Sequence, residues 1–278
     1  MTARRLNASR VEKPWGRRDL APLFGTVPDT AEPVGEIWFG DEPGTERKLL
    51  VKYLFTSEKL SIQVHPGNEQ ARAAGYPSGK DEAWVVLAAD EDAVIGIGLR
   101  ERVTPEALRA AAADGSIEHL VDWRPAAAGD VYYSPSGTIH ALGQGLALIE
   151  VQQNVDLTYR LYDYGRPREL HLDAGIAVSD PAPYESPFAP RMEDDGRQIL
   201  AEGAAFVLER WTRAAGGRLH GGTPLWLIPV AGEAALDGAV LQPGEVWIVD
   251  GGAELRIGDD ADLLIAYAEP KVRSDLLA

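Results

Sequence analysis

The segment Ser61–Pro66 alternates polar and apolar residues around a histidine. In a strand, Gln63 and His65 would share one face, and Ile62 and Val64 would share the other. An apolar outer face opposite a polar inner face is typical of a barrel interior that binds a ligand. A single histidine is more often structural than a metal ligand. Whether His65 is a ligand therefore depends on which side chains surround it.

Two further residues have the chemistry of metal ligands. Glu82 directly precedes the apolar stretch Ala83–Leu87, and His140 ends a short glycine-containing segment. Together with His65 and the amide oxygen of Gln63, they would suit Zn²⁺ or a similar divalent ion and leave positions open to a substrate. Because these residues are far apart in the sequence, their spacing alone leaves open whether they meet.

A second set of charged residues follows His140. Glu150 lies on the polar side of a strand-like segment, and Arg160 follows shortly after. A purely structural interpretation makes these two residues an ion pair at the rim of a sheet. Lys80 and Arg166 likewise have two interpretations, as contacts for an anionic ligand or as ordinary solvated charges.

Short strands must position these side chains, because glycine and proline recur along the whole chain. One helix interrupts the strands: Thr104 is a capping residue, Pro105 suits the first helical position, and Gly115 ends the helix. A shorter helix is predicted over Asn68–Ala74. Strands are predicted at Lys48–Phe55, Leu60–Val64, Ala83–Leu87, Ala93–Leu99, Val131–Ser134, Ala147–Val151, Phe206–Arg213, Leu225–Val230, Val246–Val249 and Asp262–Tyr267.

Composition excludes several classes of function. The 278 residues include 27 Lys and Arg against 43 Asp and Glu, a formal net charge of −16, which disfavours nucleic acid and anionic membrane surfaces as partners. A local basic cluster could still bind a small anionic metabolite. The sequence has no cysteine, which removes disulfides, thiol nucleophiles and cysteine-ligated metals. Without a secretory signal or a membrane-length apolar run, a cytoplasmic location is expected.

The chain is expected to form two related barrels. The segment 181–198, rich in proline and charge, is interpreted as a linker between an N-terminal unit, 1–180, and a C-terminal unit, 199–278. Two short internal similarities support a duplication, since Gly129–Tyr133 resembles Gly244–Ile248 and Trp84–Leu87 resembles Trp226–Pro229.

The ordered motifs between residues 12 and 170 resemble those of class I mannose-6-phosphate isomerases of the short bacterial type, which have a cupin fold. The resemblance implies a mainly β protein with two cupin-type (jelly-roll) barrels and a short helical insertion at about 103–120. The segments that carry it are Glu12–Gly16, Gly35–Trp38, Leu60–Pro66, Gly79–Trp84, Pro135–Leu142 and Glu150–Arg166.

The resemblance also implies the composition of the metal site. The family's ligand positions fall on His65, Glu82 and His140, with Gln63 where a glutamine often completes the coordination sphere. One Zn²⁺ per chain is expected, with another divalent ion as an alternative.

Catalytic and substrate-binding roles follow from the same resemblance. The catalytic arginine falls on Arg160, and the proposed proton-transfer base falls on Glu150. Ser61 and Lys80 fall in the substrate pocket, and Lys80 with Arg166 is expected to hold the phosphate of a sugar phosphate. The implied reaction interconverts mannose 6-phosphate and fructose 6-phosphate through a cis-enediol.

Two departures from the family pattern qualify these expectations. Asp81 stands where threonine is usual, beside a metal ligand. The helical insertion of longer relatives shrinks to about Val103–Leu120, which puts in doubt any phosphate contact drawn from it. His171 lies in a segment that matches a helix outside the metal site, and it is expected to be structural.

Alternatives remain open at this stage: an isomerase of another sugar phosphate, such as glucose 6-phosphate, or a metal-free sensor that binds sugar phosphates. The second barrel is expected to be metal-free. In the internal match, Leu255 stands at the position of His140 and Pro224 at that of Glu82, which leaves His220 without partner ligands. The sequence does not indicate an oligomeric state.

Overall fold

The computed structural model describes residues 3–42, 44–212 and 216–277. Its four helices are α1 (Asn68–Ala73), α2 (Pro105–Asp114), α3 (Ile117–Leu120) and α4 (Leu172–Val178). Its strands are β1 (Ala3–Arg5), β2 (Asn7–Arg17), β3 (Val34–Gly40), β4 (Leu49–Phe55), β5 (Ile62–Val64), β6 (Glu82–Ala89), β7 (Val94–Leu99), β8 (Val121–Pro125), β9 (Val131–Ser134), β10 (His140–Leu142), β11 (Leu146–Gln153), β12 (Tyr159–Tyr162), β13 (Arg191–Met192), β14 (Arg197–Glu202), β15 (Val207–Trp211), β16 (Gly217–Leu219), β17 (Leu225–Ala231), β18 (Ala234–Leu236), β19 (Ala239–Leu241), β20 (Trp247–Val249), β21 (Ala253–Ile257) and β22 (Asp262–Tyr267).

These strands form four antiparallel sheets. The first barrel consists of a six-stranded sheet, β2-β3-β4-β11-β6-β9, and a five-stranded sheet, β12-β5-β10-β7-β8. The second consists of a seven-stranded sheet, β1-β20-β17-β22-β15-β14-β13, and a four-stranded sheet, β16-β21-β18-β19. The predicted mainly β class is therefore confirmed.

The two barrels pack together through their larger sheets. Tyr53, Val85 and Ile149 of the six-stranded sheet are buried in one apolar cluster with Trp226 and Leu264 of the seven-stranded sheet. Because side chains alternate along a strand, the opposite face of the six-stranded sheet is free to line the interior of the first barrel. That interior contains the polar residues singled out in the sequence.

Helices cover the outer face of the five-stranded sheet. Leu108 of α2 and Ile117 of α3 are buried in one cluster with Ile62 and Val64 of β5. With these apolar neighbours outside, the intervening Gln63 faces inward. Among the described residues, none of the helices has the length and apolar character needed to cross a membrane.

Each predicted strand has a counterpart whose described bounds lie within two residues of those predicted. The strands Val131–Ser134 and Asp262–Tyr267 have the predicted limits. β2 was not predicted, because its first four residues are exposed and it has little apolar alternation to detect. The sequence analysis placed the end of the strand from Phe206 at Arg213, which lies outside the described residues.

The division into units 1–180 and 199–278 stays a prediction. The segment 181–198 contains the short strand β13 and ends as β14 begins. One strand from the start of the chain joins the second barrel, because β1 pairs with β20.

Apolar side chains fill the second barrel. Leu255, which the internal match places at the position of His140, is 1% exposed among other leucines, isoleucines and valines. His220 lies on the exposed surface, where its backbone N–H donates to Leu276 O.

A charged cluster joins the two barrels near the N-terminus. Asp41 follows β3 and accepts hydrogen bonds from Arg4 of β1 and from Arg47, whose Nε lies 2.7 Å from Oδ2. Both arginines also bind Asp250 of the second barrel. The hydrogen bonds from Arg4 hold the pKa of Asp41 well below its usual range.

We expect Asp41→Asn to lower the free energy of unfolding by about 1–3 kcal/mol at pH 7, since it removes a buried partner of two guanidinium groups. The folded pKa of Asp41 is depressed, so its contribution is complete above the unfolded value of about 4 and fades as the pH falls below it. Denaturant unfolding at pH 7 and pH 3 measures both effects. Asp29→Asn, at an exposed aspartate, is the control, and equal stability of the two variants at pH 7 would contradict the expectation.

Candidate active site and metal centre

A cavity of about 330 Å³ opens from the interior of the first barrel. Its lining carries both signs of charge despite the acidic average of the chain. The cationic residues are Lys13, Lys52, Lys80, Arg160 and Arg168, and the acidic residues are Glu36, Glu82, Glu150 and Asp156. The polar and aromatic part of the lining is completed by Trp15, Trp38, Trp84, Tyr76, Tyr159, Ser61, Thr158, Gln63, His140 and His171.

Three of the predicted metal ligands meet beside this cavity, and two of them, Glu82 and His140, line it. His65, Glu82 and His140 each offer one ligand atom, and these atoms all lie within 4.8 Å of one another. His65 Nε2 is 3.3 Å from Glu82 Oε1, and His140 Nε2 is 3.5 Å from Oε2. All three residues are 1% exposed. The sequence, in which these residues are widely separated, could not establish this convergence.

Backbone carbonyls orient both imidazole rings toward Glu82. His65 Nδ1 lies 2.8 Å from Leu157 O, and His140 Nδ1 lies 2.9 Å from Thr138 O. Each Nδ1 must donate to its carbonyl, so each Nε2 carries a lone pair directed to the cluster. This arrangement is the usual support of a metal-bound histidine.

The protonation states of the cluster also suit a metal. Burial and the charge of Lys80 lower the pKa of His65 to about 4, and burial lowers the pKa of His140. Burial alone would raise the pKa of Glu82, but Lys80 and the two histidines outweigh it and hold the pKa well below its usual range. Near neutral pH the cluster thus contains a carboxylate and two neutral imidazoles.

The buried carboxylate of Glu82 is the strongest indication of a bound cation. Lys80 Nζ lies 2.7 Å from Oε1, yet within the described chain neither carboxylate oxygen accepts a hydrogen bond of good geometry. A buried carboxylate is costly unless it is paired or coordinates a metal. The donor set therefore fits a divalent ion.

Gln63 completes the polar wall beside His140. Its amide nitrogen lies 3.3 Å from His140 Nε2, and its amide oxygen accepts a hydrogen bond from Ser61 Oγ at 3.0 Å. In the sheet, Gln63 pairs with His140 on one side and with Arg160 on the other. A rotation that exchanges the two ends of the amide would present the oxygen to a metal ion.

Close backbone approaches bring the three ligand-bearing segments together. Gly137 N donates to His65 O at 2.8 Å, and Lys80 N donates to Pro66 O at 3.2 Å. A side chain at Gly79 would meet Pro66 O at 2.6 Å, so only glycine permits the segment before Glu82 to approach this closely.

Asp81, the departure from the family pattern, faces away from the metal ligands. Its carboxylate accepts hydrogen bonds from Tyr133 OH at 2.7 Å and from Ser136 N at 2.8 Å. Asp81 thus ties the start of β6 to the loop that precedes His140. Its charge has a structural use here.

A second buried group lines the wall formed by the six-stranded sheet. Glu150 of β11 lies opposite Lys52 of β4 and Trp84 of β6. Lys52 Nζ donates to Oε1 of Glu150 and Trp84 Nε1 donates to Oε2, each at 3.0 Å. Lys52 also donates to the side-chain oxygen of Gln152 at 2.6 Å. Glu150 therefore pairs with Lys52 and not with Arg160, unlike the ion pair that the sequence left open.

The sequence analysis did not identify Lys52. Burial alone would lower its pKa, but the carboxylates Glu150, Glu36 and Glu82 raise it, so that the ammonium stays charged. A lysine inside the apolar stretch Leu49–Phe55 was the available signal, since lysine is almost never buried unless it is paired.

Three basic residues lie at the rim, and the structure separates them from Arg166. Arg160, Arg168 and His171 line the cavity, whereas Arg166 is absent from the lining. Arg166 instead binds Asp163 at 3.2 Å and Glu58 at 2.9 Å. The sequence analysis did not name Arg168 as a site residue, because its place beside Arg160 depends on the turn after β12.

The chain is similar to known proteins in both sequence and structure. No family model matches the chain. The mannose-6-phosphate isomerase of Streptococcus mutans serotype c is 35% identical over 201 residues, which cover 69% of this chain and 63% of that protein. The mannose-6-phosphate isomerase ManA of Bacillus subtilis is 35% identical over 218 residues, 71% of this chain and 67% of the relative. The chain thus spans less than two thirds of the first relative's length.

Solved structures extend the similarity to the whole fold. A crystal structure of the mannose 6-phosphate isomerase from Bacillus subtilis has a TM-score of 0.80 and 25% identity, and the match covers 96% of this chain and 99% of that one. A zinc-bound mannose 6-phosphate isomerase has a TM-score of 0.75 at 17% identity, with 97% and 100% covered. The expected fold class is confirmed by these neighbours.

We expect about one divalent ion per chain, and we expect His140→Ala to lose it while the protein stays folded, because the surrounding barrel is already packed. Elemental analysis after gel filtration, with circular dichroism, measures metal content and folding. His220→Ala, at the exposed histidine of the second barrel, is the matched control and should retain the ion. Full metal occupancy in His140→Ala would disprove the ligand assignment.

Proposed function

This chain belongs to the mannose-6-phosphate isomerase family, and from that premise we propose that it interconverts mannose 6-phosphate and fructose 6-phosphate. The observation that carries the proposal is the meeting of a His–Glu–His cluster with Lys52, Glu150 and Arg160 in one cavity. Aldose–ketose isomerisation moves a proton between C2 and C1 and develops negative charge on oxygen. The cavity contains a group suited to each of these tasks.

We infer that Zn²⁺ is the ion, held by His65, Glu82 and His140, with Gln63 as a further oxygen ligand. Two imidazoles and a carboxylate are ligands that zinc prefers, and a zinc-bound structural neighbour supports this choice. When bound, the ion supplies Lewis-acid polarisation of the sugar oxygens. The ammonium group of Lys80, beside Glu82, offsets part of the negative charge of the Glu82 carboxylate.

Glu150 is the proposed base that moves the proton between C2 and C1. Hydrogen bonds from Lys52 and Trp84 hold its carboxylate in place and leave lone pairs for the substrate. A base of this kind contributes roughly 10²–10⁴-fold to the rate. Lys52 also supplies a fixed positive charge near the oxygen on which enediolate charge develops.

Arg160 is proposed to stabilise the enediolate and to hold the substrate at the rim. Its Nε is buried without a hydrogen-bond partner in the described chain, so it can donate to a ligand without losing a bond. Arg168 is proposed to share the phosphate, since it lines the cavity. Arg166 is then proposed to support the phosphate site indirectly. It binds Asp163, and Asp163 also holds Arg168 in place.

Ser61 and Lys80 are proposed to contact the sugar near the metal. Lys80 Nζ lies 2.7 Å from Glu82 Oε1 and 3.5 Å from His65 Nε2. It is therefore at the end of the cavity near the metal-ligand residues. This position suits a sugar hydroxyl better than the phosphate. A cytoplasmic location, as expected for an enzyme of phosphorylated sugars, remains part of the proposal.

An assay that couples formation of fructose 6-phosphate to a measurable oxidation tests the proposal. We expect turnover of mannose 6-phosphate, loss of activity with a chelator and recovery when zinc returns. Glucose 6-phosphate is assayed in parallel. Faster turnover of glucose 6-phosphate would favour an isomerase of that sugar, and binding without turnover of either would favour a sensor.

We expect Glu150→Gln to retain the metal and to lose at least about 10²-fold in kcat, because the amide cannot accept the proton. Initial rates and metal content measure the two effects. Glu91→Gln, at an exposed glutamate, is the control. Turnover of Glu150→Gln near the wild-type rate would make this residue structural.

We expect Arg160→Ala to lower kcat/KM at least about 10²-fold, the usual effect of removing a preorganised donor to an oxyanion. The same assay is applied to Arg102→Ala, whose side chain is 68% exposed, as a matched surface arginine. A kcat/KM within a few-fold of wild type would remove Arg160 from the mechanism.

A further inference from the structure

His171 lies at the rim of the cavity but has no part in the chemistry described above. It directly precedes α4 and lines the cavity with Arg160 and Arg168. The sequence analysis treated it as structural. Its hydrogen bonds indicate a second use.

The backbone of Arg160 determines which ring nitrogen of His171 carries the proton. His171 N donates to Arg160 O at 2.7 Å, and Arg160 N donates to His171 Nδ1 at 3.1 Å. Because Nδ1 accepts a bond from a backbone N–H, the neutral ring must carry its proton on Nε2. Among the residues that the structure describes, the only hydrogen bond of the His171 ring is the one at Nδ1, so the Nε2–H is available to a ligand.

The neighbouring charges favour an anion at the same place. Burial, followed by repulsion from Arg168, lowers the pKa of Arg160. Arg168 is held by Asp163 through bonds of 2.6 and 2.7 Å, and Arg160 Nη1 donates to Glu169 O at 2.9 Å. Both guanidinium groups are therefore fixed in place. Arg168 is already paired with Asp163, whereas the Arg160 side chain bonds only a backbone carbonyl and can still bind an anion.

We propose that His171 is a substrate-binding residue whose Nε2–H donates to the phosphate of the sugar phosphate, in a tautomer that the Arg160 backbone sets. This inference rests on the proposed function, since it names the group that recognises the phosphate of the same substrate. A neutral donor adds a directional bond to the two arginines without adding charge. It also couples phosphate binding to the strand that carries Arg160.

Two substitutions separate the two ring nitrogens. In His171→Asn, the amide oxygen can replace Nδ1 as acceptor for Arg160 N–H, and the distal donor is lost. In His171→Gln, the longer amide can place an N–H near the former Nε2. The same pair of substitutions at His119, an exposed histidine of α3, provides the control.

The measurement is calorimetric binding of sorbitol 6-phosphate, compared with sorbitol, to the metal-loaded protein. Sorbitol 6-phosphate carries the phosphate but no carbonyl, so binding does not depend on turnover. We expect His171→Asn to weaken its binding about tenfold or more, as for loss of one hydrogen bond to a charged group, and His171→Gln to recover most of the affinity. With mannose 6-phosphate, His171→Asn should raise KM and leave kcat nearly unchanged.

Several results would overturn the inference. They are binding of sorbitol 6-phosphate within about twofold of wild type by His171→Asn, equal losses in the Asn and Gln variants, and a loss of thermal stability without a change in affinity. Failure of the wild-type protein to bind sorbitol 6-phosphate would also overturn it. Absence of isomerase activity in a wild-type protein that binds this ligand would instead overturn the proposed function alone.

Discussion

The burial of one carboxylate constrains the whole first barrel. Glu82 is 1% exposed, and an ionised group in such a place is costly unless other charges or a metal offset that cost. The surrounding chain supplies Lys80, two neutral imidazoles and the carbonyls that orient them. Backbone hydrogen bonds also join the loops before Glu82 and His140 to the segment that carries His65. A divalent ion would complete the set.

The six-stranded sheet serves two environments at once. Residues such as Tyr53 and Ile149 pack against the second barrel, while their neighbours Lys52 and Glu150 line the cavity. Strand alternation makes this division unavoidable, because a one-residue shift in register would exchange the two sets. The second barrel therefore helps to hold the site, since its apolar face keeps the register of the sheet that carries Glu150.

The rim of the site has a different physical character from its base. At the base, charges are buried and each has a partner of opposite sign. At the rim, Arg160 and Arg168 are only partly buried, and Arg168 is paired with Asp163 whereas Arg160 bonds a backbone carbonyl. Arg160 can therefore still accept an anionic ligand, whereas the acidic remainder of the surface repels anions. His171, whose Nδ1 accepts a hydrogen bond from the Arg160 backbone, lines the same part of the cavity.

The sequence by itself determined the mainly β class, the approximate positions of ten strands and the identity of His65, Glu82 and His140 as candidate ligands, because local alternation and motif chemistry express these features. Only the tertiary structure decided that Lys52 holds Glu150, that Arg166 lies outside the cavity and that His171 reaches its rim. These facts depend on cross-strand register and on turns between distant segments, and neither has a local pattern in the chain. The exposed strand β2 was not predicted for the related reason that pairing, not apolar alternation, stabilises it.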